Sequence, residues 1–254
     1  MTRLRPLRVA VLGNSVPLLV VPTRSHRDEG TYVERLEVLL AEADLPATLT
    51  NSSRLFELIH EGARRFPRDV APLQADVLIV NYGILELQPN VLPTSINRHL
   101  SRATPGGRGL RRLWHRAAVP RLWPVARSWQ RWASARAGQR TWRLRPEHFV
   151  AELADLVRIA RNSKVLVLVL DVHEPGPKLE HFMPGTRERW VRFQTVVRDY
   201  ITTLDDPGVR LLEVSAVVED LGEVELGDGL HLSATAHARV AEIISKEITA
   251  HEAG

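Results

Sequence analysis

The sequence contains no cysteine, which excludes disulfide bonds, thiol catalysis and thiolate metal sites. No apolar run approaches the roughly eighteen residues that a membrane-spanning helix needs. One apolar stretch, 9–21, follows three arginines as a signal peptide would, but Gly13, Asn14 and Ser15 interrupt it and no small-x-small cleavage site follows. We therefore interpret it as a buried strand and expect a cytoplasmic protein, with peripheral association at the membrane as the alternative.

Lysine and acidic residues are missing from one long segment, 98–145, which nevertheless contains thirteen arginines. The rest of the 254-residue chain has 21 basic residues against all 30 acidic ones, a formal balance of −9. Five of the six tryptophans lie in the same segment: Trp114, Trp123, Trp129, Trp132 and Trp142. The net charge of +4 thus conceals an acidic body with one strongly cationic, tryptophan-rich part.

Outside that segment, apolar strands alternate with amphipathic helices. Strands are predicted at 7–12, 45–50, 76–80, 164–170 and 209–214. Helices are predicted at 31–43, 146–161, 186–204 and 234–250, and a further helix is predicted with Ser52 or Ser53 as its N-cap. Five strands separated by helices indicate one α/β domain whose parallel sheet is covered on both faces.

The first strand ends in a polar turn, at the sheet edge where α/β proteins bind their ligands. Gly13, Asn14 and Ser15 would expose the serine hydroxyl beside a run of backbone N–H groups. Such a turn suits a nucleophile and part of an oxyanion hole. A glycine-serine turn without a function is the alternative.

A second polar cluster precedes the last helix. Asp228 and His231 lie three residues apart, so the carboxylate can fix the imidazole tautomer while the other ring nitrogen faces a serine. The alternative is a structural turn in which Asp228 bonds the backbone and Ser233 caps the helix. His237 lies six residues after His231, and we expect it on the surface of the helix.

A third cluster, 81–86, follows the third strand. Gly83 would let the backbone approach a ligand, and Asn81 is placed to donate a hydrogen bond to an oxyanion. A structural turn is again the alternative. After the fourth strand, Asp171 and His173 suggest a polar loop rather than a metal site, because the sequence offers no evident third ligand.

Together these three clusters resemble the GDSL, or SGNH, hydrolases in order and separation, over almost the whole chain apart from 98–145. The resemblance implies a flavodoxin-like three-layer sandwich with a five-stranded parallel sheet. It also implies hydrolysis or transfer of an ester-linked acyl group, with no cofactor and no metal. By the same match, Ser15 is the nucleophile, His231 the general base and Asp228 the residue that orients the base.

Three departures from the family pattern affect this interpretation. Asn14 replaces an aspartate that is outside the triad. The family's oxyanion glycine after the second strand is missing, so a backbone N–H near Ser52 would have to serve. Leu85 stands where the family has its oxyanion asparagine, and Asn81 is the nearest substitute. Losing one such donor typically costs about 3 kcal/mol of transition-state stabilisation.

The cationic segment predicts an insertion, 93–145, into a single domain of residues 1–254. Arginines interleaved with tryptophans suit a polyanion, an anionic membrane surface, or a mostly helical cap packed on the acidic body. We favour a cap that recognises an anionic or lipid-linked substrate, and consider nucleic acid a less probable partner.

The sequence therefore favours a serine esterase or deacetylase acting on a small-molecule, lipid or glycan ester. The alternative is a non-catalytic SGNH-like binding module or adaptor, acting through the cationic insertion at a membrane surface or polyanion.

Overall fold

The computed structural model describes residues 5–18, 30–89, 125, 128–129, 131–136, 142–221 and 229–253. Asp228 and most of the predicted insertion lie outside the described residues. All five predicted strands are present and form one parallel sheet in the order β2-β1-β3-β4-β5. They are β1 (Leu7–Gly13), β2 (Ala47–Asn51), β3 (Val77–Asn81), β4 (Leu166–Leu170) and β5 (Val209–Leu212).

Helices cover both faces of this sheet. In the described part of the chain they are α1 (Tyr32–Glu42), α2 (Ile59–Asp69), α3 (Pro146–Arg161), α4 (Pro177–Phe182), α5 (Thr186–Leu204), α6 (Val214–Leu221) and α7 (Ala234–Ala253). α7 packs on α1 and α6 in one layer, and α3 packs on α2 and α5 in the other. Searched over the same residues, no helix is both long and apolar enough to cross a bilayer.

The burial of each strand follows from its place in the sheet. β4 is buried along its whole length and β3 up to its last residue, as expected for apolar strands that are covered on both faces. β2 is only half-buried, because it forms an edge of the sheet. The predicted three-layer α/β sandwich is therefore confirmed.

One predicted helix begins in the wrong place. α2 starts at Ile59, not after Ser52 or Ser53, and Leu55 lies exposed before it. The reason is that the Ser52 N–H donates to the Val11 carbonyl, 2.8 Å away, and so continues the pairing of β2 with β1. Two short helices, α4 and α6, were not predicted.

A buried ion pair holds the chain between β2 and α2. Both oxygens of the Glu57 carboxylate lie 2.6 Å from nitrogens of the Arg65 guanidinium, and the Tyr82 hydroxyl donates to the same carboxylate at 2.6 Å. The Arg65 guanidinium also donates a hydrogen bond to the Ser52 carbonyl. The side chains of Glu57, Arg65 and Tyr82 are all buried. This network therefore fixes the chain after β2 against the end of β3.

Replacing Tyr82 with phenylalanine should lower the free energy of unfolding by about 1–3 kcal/mol, because a buried carboxylate loses one hydrogen bond. Tyr200→Phe is the matched control, since Tyr200 is half-buried on α5 and donates to no described residue. Urea unfolding measures both changes. Equal effects of the two substitutions would contradict the role assigned to the network.

Candidate active site

Ser15 lies in the turn that follows β1, where β1 and β3 approach closely. A Cβ on Gly13 would lie 2.6 Å from the Asn81 carbonyl oxygen and 2.9 Å from Cγ of Pro17, so the end of β1 requires glycine. The Asn14 N–H donates to the same Asn81 carbonyl at 3.2 Å. β2 and β3 flank β1 on opposite sides, and such a reversal of strand order is where open α/β sheets form their ligand crevice.

His231 meets Ser15 at this edge. Its Nε2 lies 2.8 Å from the Ser15 Oγ, although the two residues are 216 positions apart in the chain. Ser15 is 4% exposed and His231 is half-buried. In the tautomer protonated on Nδ1, Nε2 accepts the hydroxyl proton, which is the arrangement that general-base activation of a serine requires.

The loop that carries His231 is fixed by contacts with α4 and the chain before it. Gly229 has φ +77°, and a Cβ there would lie 2.9 Å from the Leu179 nitrogen, so glycine is needed for this close approach. The Gly176 N–H donates to the Gly229 carbonyl at 3.1 Å. On the other side, the ring of His173 donates from Nε2 to the Leu230 carbonyl at 3.0 Å. His173 thereby positions the residue next to His231.

Ser233 and His237, at the start of α7, both have structural roles, and the position of His237 differs from the one expected. Ser233 caps the helix by accepting the Ala236 N–H at 3.2 Å. His237 is fully buried, contrary to the expectation of a surface position: its Nδ1 accepts the Tyr32 N–H at 3.1 Å, and the two rings stack with centroids 5.7 Å apart. It is buried because α7 packs on α1. Asp228, the predicted orienting residue, lies outside the described part of the chain.

Two of the predicted oxyanion donors are already engaged. The Ser52 N–H donates to the Val11 carbonyl at 2.8 Å, and the Gly83 N–H donates to the Glu86 carboxylate at 2.9 Å. Gly83 has φ +124°, and its missing side chain makes room for Val172, whose Cγ2 would lie 2.3 Å from a Cβ. Both residues therefore shape the backbone, and an oxyanion needs donors from elsewhere.

Two other N–H groups lie near Ser15, one on its own backbone and one on the Asn81 side chain, which also neighbours the buried Tyr32 hydroxyl. The Ser15 N–H has no acceptor among the described residues. Asn81 is half-buried and lines a small cavity together with Val16, Ile84 and His173. Val16 directly follows Ser15, so this cavity lies next to the turn that carries the serine.

Glu86 organises the turn after β3, a role that the sequence did not suggest. Its fully buried carboxylate accepts the N–H groups of Ile59 and Gly83, each at 2.9 Å. Burial raises the pKa of Glu86 to about 7, while these N–H groups and the nearby Arg143 guanidinium lower it. The only signal in the sequence is an acidic residue within an otherwise apolar run, 84–87.

The Asp171 carboxylate accepts hydrogen bonds from neighbouring residues of the protein. Its carboxylate accepts the Ser215 N–H at 2.9 Å, the Ser215 hydroxyl, and the Gln194 amide at 3.0 Å. Burial raises the pKa of Asp171, and these donors lower it. Among the described residues, no group of three or more histidine, aspartate or glutamate side chains is arranged to hold a metal ion.

Solved structures of the same architecture cover nearly the whole chain. A lipase/acylhydrolase from Enterococcus faecalis superposes with a TM-score of 0.64 at 12% identity, over 96% of both chains. The chain has the SGNH hydrolase fold. An acetylxylan esterase from Geobacillus stearothermophilus matches this fold with a TM-score of 0.61 at 12% identity, over 95% of this chain and 94% of that one. An alpha/beta hydrolase from the metagenome of Lake Arreo matches with a TM-score of 0.58 at 14% identity, over 94% of each.

The likeness is one of structure. No family sequence model matches this chain, and no curated protein sequence matches it.

Glu86 should make the free energy of unfolding fall as pH rises from about 4.5 to about 7. Glutamate has an ordinary pKa of 4.5 and Glu86 one of about 7, so the folded state binds more protons than the unfolded state in this window. Urea unfolding at several pH values should show that Glu86→Gln removes up to about 3 kcal/mol of this change.

Glu219→Gln, at an exposed position of α6, provides the matched control and should keep the pH dependence of the wild type. An unchanged slope in Glu86→Gln would mean that Glu86 stays ionised throughout, so that the two N–H donors and Arg143 outweigh its burial.

Proposed function

We propose that this protein is a serine ester hydrolase with Ser15 as nucleophile, His231 as general base and Asp228 as the residue that orients the base. The observation that carries the proposal is the 2.8 Å contact between Ser15 Oγ and His231 Nε2. The fold adds support, because its solved relatives include a lipase/acylhydrolase and an acetylxylan esterase.

The reaction follows from the placement of these two side chains. Ser15 Oγ bonds to the acyl carbon while its proton passes to His231 Nε2, which creates a tetrahedral oxyanion. The bond to the leaving alkoxide then breaks, and the alkoxide takes the proton from His231. Water repeats these steps on the acyl-serine and releases the acid. A second alcohol in place of water would give acyl transfer.

The oxyanion requires two or more donors, and we assign them to the Ser15 N–H and the Asn81 side-chain amide. The Ser15 N–H adjoins the attacking oxygen and is not used by another described residue. Asn81 ends β3, whose backbone pairs with the end of β1 at Gly13, so Asn81 lies next to the turn in the sheet register. Leu85, at the position of the family asparagine, is buried and its side chain has no hydrogen-bonding group.

A non-catalytic binding module is the second candidate, and the same oxyanion region favours it. The Leu85 side chain cannot donate, and the N–H groups of Ser52 and Gly83 are engaged.

For the ester hydrolase, the substrate class we propose is an ester of a carbohydrate, a lipid or another small molecule.

A fluorophosphonate probe should label the wild-type protein and should not label Ser15→Ala. His231→Ala should label far more slowly, because the hydroxyl loses its proton acceptor. Ser163→Ala, at an exposed position after α3, should label like the wild type. Labelling is read by mass spectrometry of the intact protein. Absence of labelling in the folded wild type would decide for the binding module.

Asn81→Ala should lower kcat on p-nitrophenyl acetate by about 10²–10³-fold and leave KM nearly unchanged, as expected for a donor used mainly in the transition state. Asn162→Ala, at an exposed position after α3, is the control. If Asn81→Ala keeps wild-type kcat and the same unfolding midpoint, another group stabilises the oxyanion.

A further inference from the structure

Exposed hydrophobic side chains concentrate in the connections that leave one edge of the sheet. Among the described residues, eight large hydrophobic side chains are exposed, and six of them follow the carboxyl ends of β2, β3 or β4: Leu55, Phe56, Val125, Trp129, Trp132 and Phe182. The Ser15 turn follows the carboxyl end of β1 at the same edge. The other two, Val38 and Val191, lie on α1 and α5.

The tryptophans belong to a helical stretch, 131–136 with 128–129, that has one face against the body. Ser134 is fully buried, whereas Trp129 is 46% exposed and Trp132 is 55% exposed. Arg131 lies 3.3 Å from the His181 ring nitrogen, which places this stretch beside α4. Phe182 follows His181 on α4, and its ring contacts the His181 ring with centroids 5.4 Å apart. α4 in turn contacts the loop of His231. Two exposed tryptophans on one helical stretch point to an interaction surface.

The charge around these side chains indicates what they contact. Arg131 and Arg136 belong to the segment 98–145, which has thirteen arginines and no acidic residue. The Arg136 guanidinium stacks on the Trp132 ring, 4.1 Å from its centroid. A second copy of this segment would be repelled by the same charge. An anionic surface with an apolar layer beneath it matches both properties, because tryptophan prefers the bilayer interface and arginine pairs with lipid phosphate.

We propose that this surface docks the protein on an anionic lipid bilayer, with the sheet edge of Ser15 turned toward the membrane. The docking surface consists of Val125, Trp129, Arg131, Trp132, Arg136 and Phe182. A bilayer fits better than a nucleic acid, since the exposed aliphatic side chain of Val125 has no counterpart in base stacking or phosphate contact. The proposal does not depend on ester hydrolysis, because binding is measured without turnover.

Co-sedimentation with lipid vesicles tests the proposal. The full chain should pellet with vesicles that contain phosphatidylglycerol and remain in solution with vesicles of phosphatidylcholine alone. Binding should weaken steeply as salt is raised, because the screening length falls from about 8 Å at physiological salt to about 3 Å at 1 M. Equal binding to both vesicles, or no binding to either, would overturn the proposal, as would binding to single-stranded DNA in the absence of vesicle binding.

Two pairs of variants locate the contact. Arg131→Gln with Arg136→Gln should weaken binding to phosphatidylglycerol vesicles about thirtyfold, from the contribution of two cationic side chains near an anionic surface. Trp129→Ala with Trp132→Ala should weaken binding at high salt as well as at low salt, because it removes apolar insertion.

The matched controls are Val38→Ser with Val191→Ser, which remove equally exposed apolar side chains from other faces, and Arg239→Gln on the exposed side of α7. These variants should bind like the wild type. Equal losses in controls and docking variants, at unchanged unfolding midpoints, would show that the contact lies elsewhere and would overturn the assignment.

Discussion

The close approach of β1 and β3 at their carboxyl ends determines where the candidate site lies. Only a glycine fits at position 13, because the Asn81 carbonyl oxygen occupies the space of a side chain. The same carbonyl accepts the next N–H of the chain, so the turn that carries Ser15 is tied to β3. The hydroxyl therefore emerges beside the end of β3 and within reach of His231, which arrives from the far end of the sequence.

Much of the fold was predictable from local sequence because its signals are local. β3 and β4 are uninterrupted apolar runs, as strands buried on both faces must be. The helix starting at Pro146 has the predicted bounds, since proline is favoured in a first helical turn. The start of α2 was wrong because the N–H of Ser52 bonds to β1, a long-range contact that a capping pattern does not reveal. α4, with six residues, is too short for helical periodicity to appear.

The site divides in the same way. The Ser15 and His231 turns carry motifs of their own, and the structure brings those two side chains together. The Ser52 N–H bonds to Val11 on another strand, a long-range contact that was not readable from the sequence. The Gly83 N–H bonds to Glu86 three residues later, but the burial of that carboxylate was not readable either. The surface position expected for His237 was wrong because its spacing was counted from His231, which lies before α7. Counted from Val240, Ala241 and Ile244, His237 falls on the buried face of α7.

The turn after β3 also receives the chain as it returns toward α3. The Arg143 N–H donates to the Gln88 carbonyl at 2.9 Å, and the Leu144 N–H donates to the Glu86 carbonyl at 3.2 Å. The two ends of the intervening segment are thus joined at the base, whatever its length. Closing such a loop costs only about 0.6 kcal/mol more for each doubling of its length. The sheet and the Ser15 turn can therefore stay unchanged through large changes in the length of the segment between Gln88 and Arg143.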